Sequence, residues 1–162
     1  MTLRVLDIIY QTVVDGVGLR NTFYFAGCSR HCFNCHNPSS WSFEAGEEMS
    51  IDEILEIVKS DEFNITLSGG DIMFQPDACY ELVKRIKEET TKTVWIYTGF
   101  TLQECLDDPK KRRILPYIEA LVDGPYIDSL RTDQKPFVGS LNQNVNFIKD
   151  LDINQRIIEL NK

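Results

Sequence analysis

Strand-like and helical segments alternate along most of this 162-residue chain. Runs rich in aromatic and β-branched residues are separated by segments whose apolar residues recur at helical spacing; the clearest such runs are "LRNTFYFAG", "FNITLSGG" and "TVWIYTG". This alternation is typical of a parallel sheet whose strands are joined by crossover helices. A closed barrel of eight strand–helix units needs about 250 residues. We therefore predict an α/β fold, a partial (open) β/α barrel with a mainly parallel sheet, in a single domain over residues 1–162.

The helices begin at recognisable sequence signals. Ser50 precedes "IDEILEIVKS", and Glu53 follows three residues later, which is a capping-box pattern. Further helices are predicted over "PDACYELVKRIKEET" and "TLQECLDD". The opening segment "LRVLDIIYQTVVDG" reads as extended, and "NPSSWSFEAGEE" as irregular. After "IEALVDGP", a further strand, "YIDSLRTDQKPFVGS" is loop-like, and "NVNFIKDL" and "QRIIEL" are predicted to form short strands or edge segments.

Composition excludes several classes of function. The formal net charge is −8, which argues against a nucleic-acid partner bound through its phosphates. No apolar run approaches the ~20 residues of a membrane span, and no targeting signal precedes the first strand. The sequence therefore favours a cytoplasmic protein with no membrane contact, in a reducing compartment.

Three of the five cysteines lie close together: Cys28, Cys32 and Cys35 form a C-x3-C-x2-C motif just after the strand "FYFAG". One interpretation is a zinc site, with His31 or His36 as a fourth ligand. Structural zinc sites, however, usually take their ligands from two separated pairs of residues. A [4Fe–4S] cluster is the other reading, and three thiolates leave one iron open to a further ligand. Cys79 and Cys105 lie on apolar faces of predicted helices and read as core residues.

Three notable segments follow predicted strands: the cysteine motif, the "SGGD" turn and the "DGP" turn. In parallel α/β folds the loops at the carboxyl ends of the strands form the functional site. We therefore expect these three segments to converge.

The quoted motifs carry a resemblance to a known family. The cysteine motif after the first predicted strand of the sheet, followed by "TLSGGD", resembles radical S-adenosylmethionine (SAM) enzymes. The stretches "DGVGLRNTFYFAGCSRHCFNCHNPSSW", "VWIYTGFT", "LVDGPYI" and "GSLNQ" further resemble the anaerobic ribonucleoside-triphosphate reductase activating proteins, which are glycyl-radical activating enzymes. The likeness extends over essentially the whole chain.

The resemblance implies an oxidoreductase with a [4Fe–4S] cluster and SAM as cofactors. One electron from the cluster would cleave SAM, and the resulting deoxyadenosyl radical would abstract hydrogen from a glycine of the reductase large subunit. The implied partners are that subunit and a low-potential electron donor such as flavodoxin. The sequence leaves self-association as a homodimer open.

The resemblance also implies which residues form the site. Cys28, Cys32 and Cys35 would hold the cluster. The expected cofactor-binding residues are Asn34, Ser68, Gly69, Gly70, Asp71 and Thr98. Asp71 offers a carboxylate to the ammonium group of SAM, and Thr98 a hydroxyl to its carboxylate. Asp123 is expected to line the site near the entry of the glycine loop.

Two alternatives remain at this point. The chain could activate another glycyl-radical enzyme, of the formate-lyase type. It could instead be a non-catalytic zinc-binding interaction module.

Overall fold

Four parallel strands form the centre of a seven-stranded sheet. The computed structural model describes residues 1–28, 30 and 41–152. The strand order is β3-β1-β2-β4-β5-β6-β7, and β2, β4, β5 and β6 are parallel to their neighbours in this run. The outer strands β1, β3 and β7 pair in antiparallel fashion. The strands are β1 (Thr2–Thr12), β2 (Arg20–Phe25), β3 (Glu47–Ser50), β4 (Asn64–Gly69), β5 (Val94–Tyr97), β6 (Ala120–Asp123) and β7 (Asn144–Phe147).

Helices connect the parallel strands. They are α1 (Ile51–Lys59), α2 (Pro76–Glu89), α3 (Leu102–Asp107) and α4 (Pro109–Arg112), with short 3-10 helices between them. The predicted capping box is confirmed at α1, where Ser50 and Glu53 exchange side-chain and backbone hydrogen bonds. A second capping box begins α3, with Thr101 as the N-cap and Glu104 as its partner. Both boxes satisfy backbone N–H groups that an uncapped helix would leave without partners.

The helical face of the sheet carries the main hydrophobic core. Alternate strand residues such as Phe23, Leu67 and Ile96 point to this side, because successive side chains of a strand face opposite ways. They pack against apolar residues of α1 and α2, including Leu55 and Leu82, and all five are at most 2% exposed. The helices therefore cover only one face of the sheet.

The opposite, concave face has a second and smaller apolar cluster centred on Trp95 of β5. The rings of Phe137 and Phe147 meet the Trp95 indole edge-on, at centroid distances of 5.4 and 5.5 Å. The Arg20 guanidinium lies 5.5 Å from the same ring and donates hydrogen bonds to the carbonyls of Ile65 and Thr93. Burial lowers the pKa of Arg20 to about 10. This layer closes the concave face on the side of the strands' amino ends.

The predicted fold class is confirmed as an α/β fold with an open, mostly parallel sheet, consistent with a partial barrel. Two elements were missed. β3 lies in a stretch predicted to be irregular, and its register of Glu47 opposite Val5 is provided by the long strand β1. α4 begins at Pro109, and proline is well suited to the first turn of a helix. The strand expected at "QRIIEL" lies outside the described residues.

Within the part of the chain that the structure describes, we find no helix that is both long and apolar enough to cross a membrane.

Candidate active site

A cavity of about 460 Å³ opens on the concave face, at the carboxyl ends of the parallel strands. Its size falls within the range of about 300–1,000 Å³ that is usual for small-molecule sites. The segment of the cysteine motif contributes Cys28 and Arg30, and the end of β4 with the turn after it contributes residues 68–71. The cavity therefore lies where the sequence predicted a functional site.

One row of side chains forms the floor of the cavity. Tyr24 pairs with Ser68 across β2 and β4, and Tyr97 pairs with Val122 across β5 and β6. All four line the cavity. They alternate with core residues of the helical face, so the pleat of the sheet alone aims them at the concave side.

The turn after β4 is bonded directly to the chain that leads into the cysteine motif. The Gly70 amide donates to the Phe25 carbonyl at 2.7 Å, and the Asp71 amide donates to the Gly27 carbonyl at 2.9 Å. Cys28 follows at once, and its amide donates to the carbonyl of Trp41. Gly124 of the "DGP" turn lines the same cavity, so the described residues of the three segments converge as predicted. Cys32, Cys35 and Asn34 lie outside the described residues.

Gly69 is required by the sheet itself. Its φ of +107° lies in the region that favours glycine, and a Cβ there would come within 2.2 Å of the Phe25 amide nitrogen. The absence of a side chain lets the end of β4 approach β2 closely. That approach brings the next residues, Gly70 and Asp71, within hydrogen-bonding distance of the backbone just before the cysteine motif.

Asp71 is fully buried and its carboxylate has several protein donors. It accepts from the Met73 amide at 3.0 Å and the Gly99 amide at 2.8 Å, and the Thr98 hydroxyl lies 2.9 Å from each of its oxygens. Desolvation raises the pKa of this carboxyl to about 6, although these hydrogen bonds and the charge of Arg30 act in the opposite direction. Asp71 therefore joins the ends of β4 and β5.

Thr98 was predicted to offer its hydroxyl to SAM. Its Oγ1 pairs with Asp71 and accepts a hydrogen bond from the Phe100 amide at 3.1 Å. Both residues still line the cavity. The geometry gives them a role in positioning the two strand ends that surround it.

Asp123, predicted to line the site, is buried beside the cavity. Its carboxylate accepts from the Leu102 amide at 2.8 Å and from the Asn146 side chain at 2.9 Å. The residues on either side of it, Val122 and Gly124, line the cavity. Asp123 thus ties the end of β6 to the start of α3 and to β7.

Sequence reasoning missed three polar residues in the cavity wall, Asp15, Tyr24 and Tyr97. The Tyr24 hydroxyl donates to Asp15 at 2.8 Å, and the Asp15 carbonyl accepts from Thr66 at 2.7 Å. Burial raises the pKa of Tyr24 and also that of Tyr97, so both phenols are protonated at neutral pH. The phenol oxygen of Tyr97 is buried and makes no hydrogen bond with any described residue. Strand alternation could have placed Tyr24 and Tyr97, but only the fold brings in Asp15.

The "GSLNQ" segment forms another wall of the cavity through Gln143. The side-chain oxygen of Gln143 accepts from the Gly139 amide at 2.9 Å and the Ser140 amide at 3.0 Å. Its amide nitrogen donates to the Gly124 carbonyl at 3.0 Å. One glutamine thus fastens the loop before β7 to the turn after β6.

The residues of the cavity fit the cofactors that the motifs imply. Cys28 supplies a cysteine sulfur at the cavity wall, and sulfur is a soft ligand suited to iron. A zwitterionic ligand such as SAM needs hydrogen-bonding and charged groups of both signs. The wall offers the Ser68 hydroxyl, the Arg30 guanidinium and the carboxylate of Asp15, beside apolar ring surface.

Comparisons with known proteins agree with this geometry. The family model described as a 4Fe-4S single cluster domain matches residues 14–146. The chain is 37% identical over 140 residues to the anaerobic ribonucleoside-triphosphate reductase-activating protein of Pasteurella multocida, covering 81% of this chain and 89% of that protein. For the protein of the same name from Vibrio cholerae the identity is 39% over 141 residues, with the same coverage.

A relative of the formate-lyase type matches over a shorter region. The pyruvate formate-lyase-activating enzyme of Clostridium pasteurianum is 30% identical over 104 residues, which is 60% of this chain but only 44% of that enzyme. The Escherichia coli reductase-activating protein matches over 85% of this chain and 94% of its own length, at 31% identity. With the "SGGD" turn bonded to the chain that leads into the cysteine motif, at a cavity of the concave face, the chain belongs to the family of anaerobic ribonucleoside-triphosphate reductase-activating proteins.

Proposed function

We propose that this chain is a radical SAM enzyme that generates the glycyl radical of an anaerobic ribonucleoside-triphosphate reductase. The observation that carries the proposal is the position of Cys28 in the wall of a ligand-sized cavity, where the backbone of the "SGGD" turn is bonded to the chain leading into that cysteine. When bound, the cluster and SAM supply the one-electron chemistry that yields a radical able to take hydrogen from a glycine.

The chain itself contributes ligands and positioning groups. Cys28, Cys32 and Cys35 hold the cluster, and three thiolates leave one iron for SAM. The residues proposed to contact SAM are Asn34, Ser68, Gly69, Gly70, Asp71 and Thr98. The hydrogen bonds of Asp71 support an indirect role for that residue in SAM binding: it holds the ends of β4 and β5 at the correct separation. Asp123 does the same for β6.

The phenols of Tyr24 and Tyr97 act as neutral groups in the cavity wall. Their raised pKa values keep both protonated, so they add hydrogen-bonding capacity without adding negative charge beside the anionic thiolates. With Trp95 closing the far side of the concave face, they limit the access of water to the cavity. Exclusion of water protects a reactive radical from side reactions.

The proposed partners follow from the same chemistry. The substrate is the reductase subunit that carries the glycine, and a low-potential donor such as flavodoxin reduces the cluster. A cluster of this kind requires a reducing compartment, and we place the protein in the cytoplasm as a single radical SAM domain over residues 1–162.

The test is anaerobic reconstitution followed by electron paramagnetic resonance. We expect iron and sulfide in the ratio of a [4Fe–4S] cluster, a reduced signal that changes on adding SAM, and a glycyl-radical signal when the anaerobic reductase is supplied. Bound zinc with no such spectrum would refute the proposal in favour of the zinc module. A radical on a formate lyase, with none on the reductase, would transfer the activity to the formate-lyase class.

A further inference from the structure

Two segments that line the cavity also carry exposed apolar side chains on their outer sides. One is the connection from β1 to β2, where Val13, Val14 and Val17 are 56–67% exposed. The other is the connection from β6 to β7, with Ile127, Leu130 and Leu141 at 37–55%. We call these six residues the apolar rim. Apolar patches of this kind on a folded protein commonly mark interaction sites.

The first half of the rim is presented by a fixed backbone. Asp15, between Val14 and Val17 in the chain, is held in the cavity wall by Tyr24 and Thr66. Gly16 is buried, and a Cβ there would approach Arg20 and Trp95 within about 3 Å. Because Asp15 and Gly16 are directed inward, the valines on either side of them remain outside.

The second half is fixed in the same way. The Leu141 amide donates to the Leu130 carbonyl at 2.8 Å, and the Ile127 amide donates to the Ser140 hydroxyl at 3.2 Å. Neighbouring residues of this segment, Tyr126 and Gln143, line the cavity. Both halves of the rim therefore belong to ordered loops, and ordered apolar groups lose little entropy on binding.

The charges near the apolar rim determine which kind of partner surface it would attract. Between Val5 and Leu19 the chain has no lysine or arginine, and its charged residues there are Asp7 and Asp15, so the first half of the rim is acidic. The second half, residues 127–141, has two acidic and two basic residues and is formally neutral. The whole chain has a net charge of −8. An apolar surface bordered by basic groups would be attracted, whereas an acidic one would be repelled.

We infer that the apolar rim is the docking surface for the protein substrate, the reductase subunit whose glycine reacts. This inference rests on the proposed function. A protein can bring a backbone glycine into a 460 Å³ cavity only by covering the surface around the opening. The rim lies on two segments that both contribute to that wall, one through Asp15 and the other through Tyr126 and Gln143, so a partner that buries the rim also covers the wall of the cavity.

The experiment compares single charged substitutions on the rim with one elsewhere. Val14→Asp and Leu141→Asp each place a carboxylate in the docking surface, and Thr91→Asp adds the same charge at an exposed position after α2. The dissociation constant for the reductase subunit is measured by calorimetry with the cluster-loaded protein. We expect each rim variant to weaken binding roughly tenfold and the double variant roughly a hundredfold, since the two sites are independent. Thr91→Asp should bind within about twofold of the unsubstituted protein.

Partner-independent readouts separate docking from folding and chemistry. Circular dichroism, SAM affinity and dithionite-driven SAM cleavage without the reductase should be unchanged in both rim variants. Binding of the reductase within twofold of the unsubstituted protein in the double variant would overturn the inference. So would loss of self-association in sedimentation with unchanged reductase binding, which would make the rim a contact between copies of this chain. Failure of the unsubstituted protein to form the glycyl radical would refute the proposed function itself.

Discussion

The hydroxyl of Thr98 lies 2.9 Å from both carboxylate oxygens of Asp71, and this contact joins two parallel strands at their carboxyl ends. Thr98 lies just after β5 and Asp71 in the turn after β4, so each strand end is held by a residue of the other. The consequences can be measured.

Thr98→Val removes the hydroxyl at nearly constant volume. Asp71 loses a donor and the Phe100 amide loses its acceptor, so we expect a loss of roughly 1–3 kcal/mol in the free energy of unfolding. The pKa of Asp71 should rise above about 6, because the lost bond favoured the ionised form. Urea denaturation and carboxyl-carbon nuclear magnetic resonance give the two values. Thr98→Ser, which keeps the hydroxyl, should stay within about 1 kcal/mol.

Burial of Asp71 predicts a defined dependence of stability on pH. Its pKa is raised from 3.8 to about 6 in the folded state, so between these values the folded protein binds more protons than the unfolded chain. The contribution of Asp71 to stability must therefore fall as pH rises from about 4 to 6 and then level off. Relative to Asp71→Asn, which lacks this titration, the loss should be on the order of 2–3 kcal/mol in the cluster-free protein. A stability difference that stays constant across this range would contradict the assignment.

Gly69→Ala should be among the most damaging small substitutions. The positive φ and the collision of the new Cβ with the Phe25 backbone together predict a cost of about 3 kcal/mol or more. Gly18 is the matched control, since its φ is also positive, at +81°, but nothing lies within 4 Å of its Cβ position. Gly18→Ala should cost only ~1–2 kcal/mol, from backbone strain. Equal costs in chemical denaturation would mean that contact with β2 is unimportant.

Gln143→Ala should loosen one wall of the cavity. It leaves two backbone amides and one carbonyl without the side chain that paired with them, at a cost of roughly 2 kcal/mol. SAM binding should weaken with it, because the loop that bears Gly139 also lines the cavity. Gln134, whose side chain is exposed in the same segment, provides the comparison. Gln134→Ala should change neither stability by more than about 0.5 kcal/mol nor SAM affinity.

The cysteines divide into two groups with opposite expected behaviour. Alanine at Cys28, Cys32 or Cys35 should abolish iron and sulfide incorporation, because two thiolates cannot hold the cluster. Cys79→Ala and Cys105→Ala should retain both, since these thiols are completely buried in the core. Each of these two substitutions should lower the free energy of unfolding by about 1–2 kcal/mol, because packing in the core is lost. Retained SAM cleavage in all three variants of the first group would refute the ligand assignment.

Local pattern was sufficient for much of the fold. The helical spacing of Ile51, Ile54 and Leu55 and the cap at Ser50 act within a few residues, so α1 could be predicted. β3 could not, because "EEMS" has little strand propensity and becomes a strand only through its pairing with β1. Its existence depends on a residue as distant as Val5.

The candidate site, like the fold, could be predicted from the sequence only in part. The positions of Cys28 and Asp71 at strand ends follow from the order of segments along the chain. The protein contacts of these residues do not: no local pattern indicates that the Thr98 hydroxyl bonds to Asp71. Asp15 and Gln143 enter the wall through loops whose paths depend on tertiary packing. No spacing in the sequence indicates such contacts.

The cluster around Trp95 has a consequence for how the chain folds. Gly16, from the amino-terminal part of the chain, packs on this indole, and so do Phe137 and Phe147 from the carboxyl-terminal part. This layer can be completed only after segments more than a hundred residues apart have met, and such distant contacts form slowly. The helical side of the sheet draws on nearer neighbours, as when α1 and α2 pack beside β4. The concave face should thus be the last part of the molecule to fold. The fluorescence of the Trp95 indole would measure how fast its packing forms.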